Sequence, residues 1–285
     1  MDKVFLNDGL VDAGKAVVAA NDSGFLYGSG LFETMRCENG VVFRLDDHLD
    51  RLFASAKALS IYNSFDKKYM TDAVYAVLQA NGFVDARLRL TLTGGAMASD
   101  NRKSTLLVAA TGLQGYPGEF YQKGILVVLC PFRQNTSEPT CGHKTTSYFS
   151  RMLALQDAHN KGGAESLWFT TGNVLAEGCI SNVFLVKDSA LYTPRLSTPV
   201  LSGIARKTVC EIAERNQIKL EEKDLGIDDL LAADEIFLTN VIMKVMPVVG
   251  IEKHVVGTGR VGLVAKKMLG LFDDYVKKEC GAKKV

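Results

Sequence analysis

Residues Ala86–Thr93 read ARLRLTLT, an unbroken alternation of apolar and polar side chains. Successive side chains of a strand point to opposite faces, so this segment fits a strand with one buried face. A helix would need its apolar residues three or four positions apart. Such a strand requires neighbours and a cover for its apolar face, and the surrounding sequence supplies both. Ser104–Ala110 reads as an apolar strand after a Gly94-Gly95 turn, and Val4–Leu6 and Val41–Phe43 read as short strands. Asp46–Leu59 sets Leu49, Leu52, Phe53 and Ala56 at helical spacing behind an acidic first turn, which suits the helix dipole. Lys67–Leu78 reads as a second helix. The first part of the chain is therefore expected to be α+β.

Gly112–Gly118, GLQGYPG, gathers three glycines and a proline and is expected to link two domains. The expected division is an N-terminal α+β domain over 1–113, a linker over 114–119 and a C-terminal domain over 120–285, which suits a chain of 285 residues. Beyond the linker, Gly124–Cys130, Ser166–Thr170, Asn182–Val186, Ala190–Tyr192, Glu235–Leu238 and Val245–Val249 read as strands. Ser147–His159, Ile204–Asn216, Ile227–Ala232 and Gly262–Lys278 read as helices. The basic AKKV end reads as a solvated tail.

Lys plus Arg number 33 and Asp plus Glu 32, a net charge of +1. That balance argues against a general nucleic-acid binder, which carries a basic excess or patch. No apolar run is long enough to span a membrane, and the start lacks the basic and apolar regions of a signal peptide. The six cysteines form no CxxC pair and the four histidines no HExxH, so free thiols, a cytoplasmic protein and no metal site are expected.

Three segments carry chemistry. Gly24–Glu33, GFLYGSGLFE, is not a phosphate-binding P-loop, since no GK[ST] follows. Its glycines either make a turn at positive φ or let the backbone approach a ligand, with Tyr27 and Phe32 as walls. Lys144 stands in CGHKTTSY, between strand-like and helix-like sequence. Loop lysines are ordinarily solvated, but Thr145, Thr146 and Ser147 suit a hydroxyl-lined pocket, where a lysine amine becomes available for a Schiff base. Glu177 stands in LAEGCISNVF, just before a buried-looking strand. It either caps a turn or faces a cationic heteroaromatic nitrogen.

Taken together, HKTTSYxxxxLA followed by ExxxSNxF resembles the fold-type IV (class IV) pyridoxal-phosphate aminotransferases, which include D-amino-acid aminotransferase, branched-chain aminotransferase and aminodeoxychorismate lyase. NDSGFLYGSGLFET, HLDRLFASAKAL, LSGIAR and TNVIMKVMPV are similar to further motifs of that family, in family order from residue 21 to residue 250. The resemblance implies a two-domain α+β fold, with a smaller N-terminal domain and a larger, β-barrel-like C-terminal domain. It implies pyridoxal 5′-phosphate as cofactor, amino acids and 2-oxo acids such as 2-oxoglutarate or pyruvate as substrates, and a homodimer with its active site near the subunit interface.

By the same resemblance, Lys144 forms the internal aldimine and shuttles the proton, and Glu177 pairs with the pyridine nitrogen. Tyr148 contacts the cofactor's phenolic oxygen, and Arg51 binds the phosphate. Ile204 and Ala205 offer it helix-start N–H groups, Asn240 and Val241 form a second phosphate loop, and Ser181 and Asn182 join the cofactor set. Val241 stands where the family often has threonine, and Ser23 where it often has arginine. For the substrate carboxylate the candidates are Arg87 and Arg89, on one face of their strand, with Arg36 third and Tyr27 as a wall. Two arginines on one face form either a carboxylate clamp or an exposed face. The clamp favours a D-amino-acid transaminase. An aminodeoxychorismate lyase releasing pyruvate and an L-branched-chain aminotransferase are the rivals. A non-catalytic member of the fold is argued against by Lys144 and Glu177 together.

Overall fold

The alternating segment becomes the middle of a sheet. In the computed structural model, which describes residues 2–96 and 103–281, β5 is Ala86–Thr93, as the pattern predicts. It lies between β3 (Gly30–Glu38) and β6 (Thr105–Gly112), antiparallel to both. With β1 (Lys3–Leu6), β2 (Gly9–Asp12) and β4 (Val41–Val42) these form a six-stranded sheet in the order β2-β1-β6-β5-β3-β4. Leu88, Leu90 and Leu92 are buried in one core with Leu49 and Leu52 of α2 (Leu45–Ala58) and Met70, Val74 and Val77 of α3 (Lys67–Asn81). Arg87 and Arg89 between them are exposed. α3 starts where the Asp66 carboxylate accepts from Tyr69 N at 2.7 Å and stops at Gly82, φ +66. The glycine turn opens the β5–β6 connection: Gly95 has φ +75, and a Cβ there would collide with the Lys103 carbonyl.

The second unit is built on nine strands: β7 (Ile125–Gln134), β8 (Glu165–Thr170), β9 (Leu175–Gly178), β10 (Asn182–Lys187), β11 (Ala190–Pro194), β12 (Leu220–Lys223), β13 (Glu235–Asn240), β14 (Lys244–Ile251) and β15 (His254–Val255). The order is β12-β11-β10-β13-β14-β7-β8-β9, with β15 on β14. β7 is parallel to both of its neighbours and most other pairs are antiparallel. The sheet curls, so that Leu175 N of β9 reaches Leu225 O at 2.7 Å. Val127, Leu167, Val183, Leu185, Leu238 and Met246 fill its core. Around it run α4 (Gly118–Lys123), α5 (Phe149–Asn160), α6 (Ile204–Arg215), α7 (Ile227–Leu231) and α8 (Leu263–Cys280).

The two units are not contiguous. The first ends at Gln114, close to the expected linker, but residues 143–147 and the chain from Val276 also belong to it. A boundary drawn from composition misses this, because residues 143–147 join the first unit by backbone pairing and not by any composition signal. Several elements carry no strong pattern: β3 is buried on both faces, and β12 is mostly charged. The AKKV end lies outside the described residues.

Asp22 fastens the first unit. It is fully buried and precedes α1 (Ser23–Tyr27), accepting from Gly24 N at 2.8 Å, Thr93 Oγ1 at 2.8 Å and Thr105 Oγ1 at 2.6 Å. It therefore ties a helix start to β5 and β6. Asp22→Ala strands three donors, one buried and two half-buried, and is expected to lower the unfolding free energy by about 2–4 kcal/mol. Asp22→Asn, which keeps an acceptor, should lose less. The urea midpoints of the two variants test this order.

Candidate active site

In the first unit the lysine segment is held like an added strand. Phe32 N donates to Lys144 O at 2.9 Å, Thr146 N donates to Gly30 O at 2.8 Å, and Thr145 bridges Leu31. Thr146 Oγ1 donates to Gly28 O at 2.8 Å, and His143 Nδ1 meets Ser55 Oγ at 2.9 Å. Gly28 closes α1 at φ +65, where a Cβ would collide with the Ser147 hydroxyl. The glycine segment thus makes the expected turn, and what its backbone approaches closely here is the lysine segment. Tyr27 is exposed on α1.

Lys144 is half-buried, with Nζ 4.5 Å from the centre of the Phe32 ring. The Arg89 guanidinium carbon lies 3.9 Å from the same centre. The two cations therefore lie within about 8.4 Å of each other, and each is held against the π-electrons of one ring. Arg89 Nε also donates to Thr91 Oγ1 at 3.3 Å. Arg36 faces Arg87 across the β3–β5 register; it is buried and ion-paired with Glu38, whereas Arg87 is exposed. Of the three arginines, Arg89 is the one that shares a ring with Lys144.

Arg51 is paired with a residue that the sequence reading passed over. Glu33 Oε1 accepts from Arg51 Nε at 2.9 Å, and Oε2 accepts from Arg51 Nη2 at 2.5 Å and from His48 Nδ1 at 2.7 Å. Burial alone would raise the Glu33 carboxyl, but Arg51 and His48 outweigh it and bring it down to about 2. Burial lowers His48, and Glu33 offsets that only in part. One carboxylate and one guanidinium already balance, so a charged imidazole there would have no counter-ion. A signal existed in the sequence: His48 and Arg51 are three apart on one helix.

The second unit holds the other candidates. Glu177 Oε1 accepts from Arg151 Nη2 at 2.7 Å and Oε2 from Leu201 N at 2.9 Å. Arg151 also donates to Gly178 O at 2.8 Å and Gln134 Oε1 at 3.0 Å, and lies over the Trp168 ring. Tyr148, three residues before it, donates its hydroxyl to Cys179 O at 2.5 Å; burial pushes this phenol well above its ordinary range. Beneath the same turn the buried Glu165 carboxylate accepts from Cys179 N, Ile180 N and Ser181 Oγ at 2.9–3.1 Å. The turn after Glu177 is thus gripped by its carbonyls and by its N–H groups. Arg151 and Glu165 were missed in the sequence. Arg151 could be found from its helical spacing to Tyr148; Glu165 left no such signal.

Asn182 donates to Leu201 O at 2.9 Å, which holds the chain leading into α6. Gly203 has no room for a Cβ beside Asn182. No side chain caps α6, yet Ile204, Ala205 and Arg206 are buried. A buried helix start without a cap is a site for an anion, since its N–H groups have no intrahelical acceptor. Asn240 Oδ1 accepts from Ile242 N and Met243 N, and its amide donates to Ile180 O. Its side chain shapes the β13–β14 turn, at which Val241 begins.

Residues 30–251 match the family described as amino-transferase class IV. The chain belongs to the class IV aminotransferases. It is 34% identical over 95% of its length to 96% of a Methanocaldococcus jannaschii protein provisionally named branched-chain-amino-acid aminotransferase. It is 31% identical over 88% of its length to 87% of aminodeoxychorismate lyase of Bacillus subtilis. D-alanine aminotransferase of Listeria innocua is 26% identical, covering 98% of each chain. The structure of the T.th. branched-chain amino acid aminotransferase with pyridoxamine 5′-phosphate superposes with a TM-score of 0.91 at 26% identity, covering 98% of this chain and 95% of that one. Class IV aminotransferases use pyridoxal 5′-phosphate, and the residues present fit it: the uncapped start of α6 suits a phosphate, and Glu177 suits a ring nitrogen. Among the described residues no cluster of His, Cys, Asp and Glu is placed to hold a metal ion.

The Glu33–His48 pair makes this class IV enzyme acid-sensitive. His48 is held below its ordinary 6.5 and Glu33 below its ordinary 4.5. Both contributions are complete above those ordinary values. They are lost as pH falls, first below 6.5 for His48, then from 4.5 towards about 2 for Glu33. The melting temperature is expected to drop as pH falls below about 6.5, and less steeply in His48→Asn. His143, also lowered by burial, adds a loss of the same sign and remains in the variant. Equal slopes for variant and wild type would contradict the assignment.

Proposed function

We propose that this chain moves an amino group between an amino acid and a 2-oxo acid, with Lys144 as the reacting amine. When bound, pyridoxal phosphate supplies the electron sink for the carbanion at the substrate Cα. Arg51, the N–H groups of Ile204 and Ala205, and the Asn240-Val241 turn hold its phosphate. Tyr148 is assigned to the side of its phenolic oxygen, with its hydroxyl proton given to Cys179 O. Ser181 and Asn182 act through the backbone they fix, since their side chains are engaged elsewhere. Glu177 holds a proton at the ring nitrogen, and Arg151 and Leu201 N fix the carboxylate's orientation. Lys144 moves the proton at Cα. Phe32 covers one side of its amine.

The observation that carries this reading is the Phe32 ring shared by Lys144 and Arg89. A carboxylate bound to the Arg89 guanidinium brings the rest of a small amino or 2-oxo acid to the amine. The D-amino-acid preference leaned on a clamp of two arginines. Arg36 is paired with Glu38, and of the two exposed arginines only Arg89 lies over the Phe32 ring beside Lys144, so that clamp reduces to Arg89. The 34% relative carries a branched-chain name. We therefore rank L-branched-chain amino acids first as donors, with 2-oxoglutarate as acceptor, and D-amino acids second. The Bacillus subtilis relative favours pyruvate release from aminodeoxychorismate as a distinct second reading.

The exposed Phe25 and Tyr27 on α1, and Phe149 on α5, support a homodimer that covers apolar side chains of this size. No described helix is long and apolar enough to cross a membrane. Sedimentation equilibrium tests the dimer.

A panel of both enantiomers of leucine, valine, alanine and glutamate with 2-oxoglutarate, run beside an aminodeoxychorismate assay, decides among these readings. The highest kcat/KM is expected with an L-branched-chain donor; a D-alanine optimum reverses the ranking. Lys144→Ala is expected to abolish turnover with every donor. Arg89→Ala is expected to raise KM for 2-oxoglutarate about ten- to a hundredfold while cofactor affinity is unchanged. An unaltered KM moves the carboxylate site away from β5.

A further inference from the structure

We propose that Glu33 and His48 are positioning residues for Arg51, holding its guanidinium so that the Nη1 side meets the cofactor phosphate. The inference rests on the reading of Arg51 as a phosphate ligand. A guanidinium is planar and presents its N–H groups along distinct edges. Glu33 takes the Nε–Nη2 edge with both carboxylate oxygens. A second anion must therefore approach from the Nη1 side. Arg51 is on α2 and Glu33 on β3, so the plane of the guanidinium is set by the sheet and not by the helix alone. A long side chain pinned along one edge loses less conformational freedom when it binds a ligand along the other.

His48 completes the device. Its Nδ1 bonds Glu33 Oε2, the oxygen that also receives Arg51 Nη2. Glu33 is ionised and only accepts, so Nδ1 carries the proton. His48 is held neutral by burial, so its Nε2 is an acceptor, buried and without a hydrogen-bond partner among the described residues. An acceptor has the wrong polarity for a phosphate. His48 thus acts through Glu33: by occupying Oε2 it prevents the carboxylate from rotating out of the guanidinium plane. The carboxylate and guanidinium charges cancel, so the pair contributes orientation and not net attraction.

The full chain, freed of cofactor, is titrated with pyridoxal phosphate and with pyridoxal, which lacks the phosphate. Visible absorbance and the fluorescence of Trp168, the sole tryptophan, report binding. Arg51→Ala is expected to weaken pyridoxal phosphate about ten- to a hundredfold and leave pyridoxal unchanged. Glu33→Gln and His48→Leu are expected to weaken pyridoxal phosphate about three- to tenfold, with pyridoxal again unchanged. His48→Asn, whose amide offers a donor where Nδ1 stands, should bind like wild type. Glu33→Gln added to Arg51→Ala should cost nothing further. If Glu33→Gln does not fold, the two His48 variants carry the test alone. Equal weakening of both ligands, or full additivity with Arg51→Ala, overturns the proposal, because the pair then serves the fold. Silence of Glu33→Gln and His48→Leu beside a selective Arg51→Ala overturns the proposal while sparing the phosphate reading. An Arg51→Ala that binds pyridoxal phosphate normally overturns both.

Discussion

The pairing of residues 144–146 with the first residues of β3 is the contact on which the rest of the site depends. Two backbone hydrogen bonds and the Leu31–Thr145 bridge put Lys144 beside Phe32. A lysine in a loop would sample many rotamers and keep its ammonium hydrated. Here the backbone is fixed in strand register, a threonine hydroxyl locks that register against Gly28, and the amine lies against an aromatic face. The pairing is permitted because Gly28 and Gly30 bring no side chain into the space that Ser147 and Thr146 occupy.

Buried carboxylates act as fasteners throughout the molecule. Asp22 joins a helix start to two strands, Glu33 joins β3 to α2, Glu165 holds the turn after Glu177, and Glu177 joins β9 to α5 and the Leu201 segment. An ionised carboxyl offers several acceptor sites and is costly to bury unless they are filled. Asp22 and Glu177 draw donors from two other segments, and Glu33 and Glu165 draw theirs from one, α2 and the turn after Glu177, so the requirement to fill these acceptors becomes a requirement on geometry. That is how a soft turn such as 178–181 is held still enough to aim Glu177. It also explains why Asn240 and Asn182, expected to touch the cofactor, spend their amides on backbone.

Much of the fold was legible because its signals are local. The alternation at Ala86–Thr93 marks β5 to the residue, and the Leu49, Leu52 and Ala56 spacing marks the buried face of α2. Lys144 and Glu177 were legible as a pair of motifs, since each carries its own neighbours with it. The role of Glu33 was not, since its partners are 15 and 18 residues away and β3, buried on both faces, gives it no pattern of its own. The three arginines illustrate the limit best. Arg36, Arg87 and Arg89 look alike in sequence, yet Arg36 is buried against Glu38 while the other two are exposed, and of those Arg89 lies over Phe32.

By itself the sequence determined what depends on near neighbours: the periods of the strands and helices, the glycines at positive φ, and the family to which the ordered motifs point. Tertiary structure alone decided which residues share an environment. It drew residues 143–147 into the first unit, gave Arg51 to Glu33, and brought Arg151 to Glu177. Hydrophobic periodicity is written within a few residues of chain. The partner that satisfies a buried charge is chosen by the whole fold, across separations that no local pattern records.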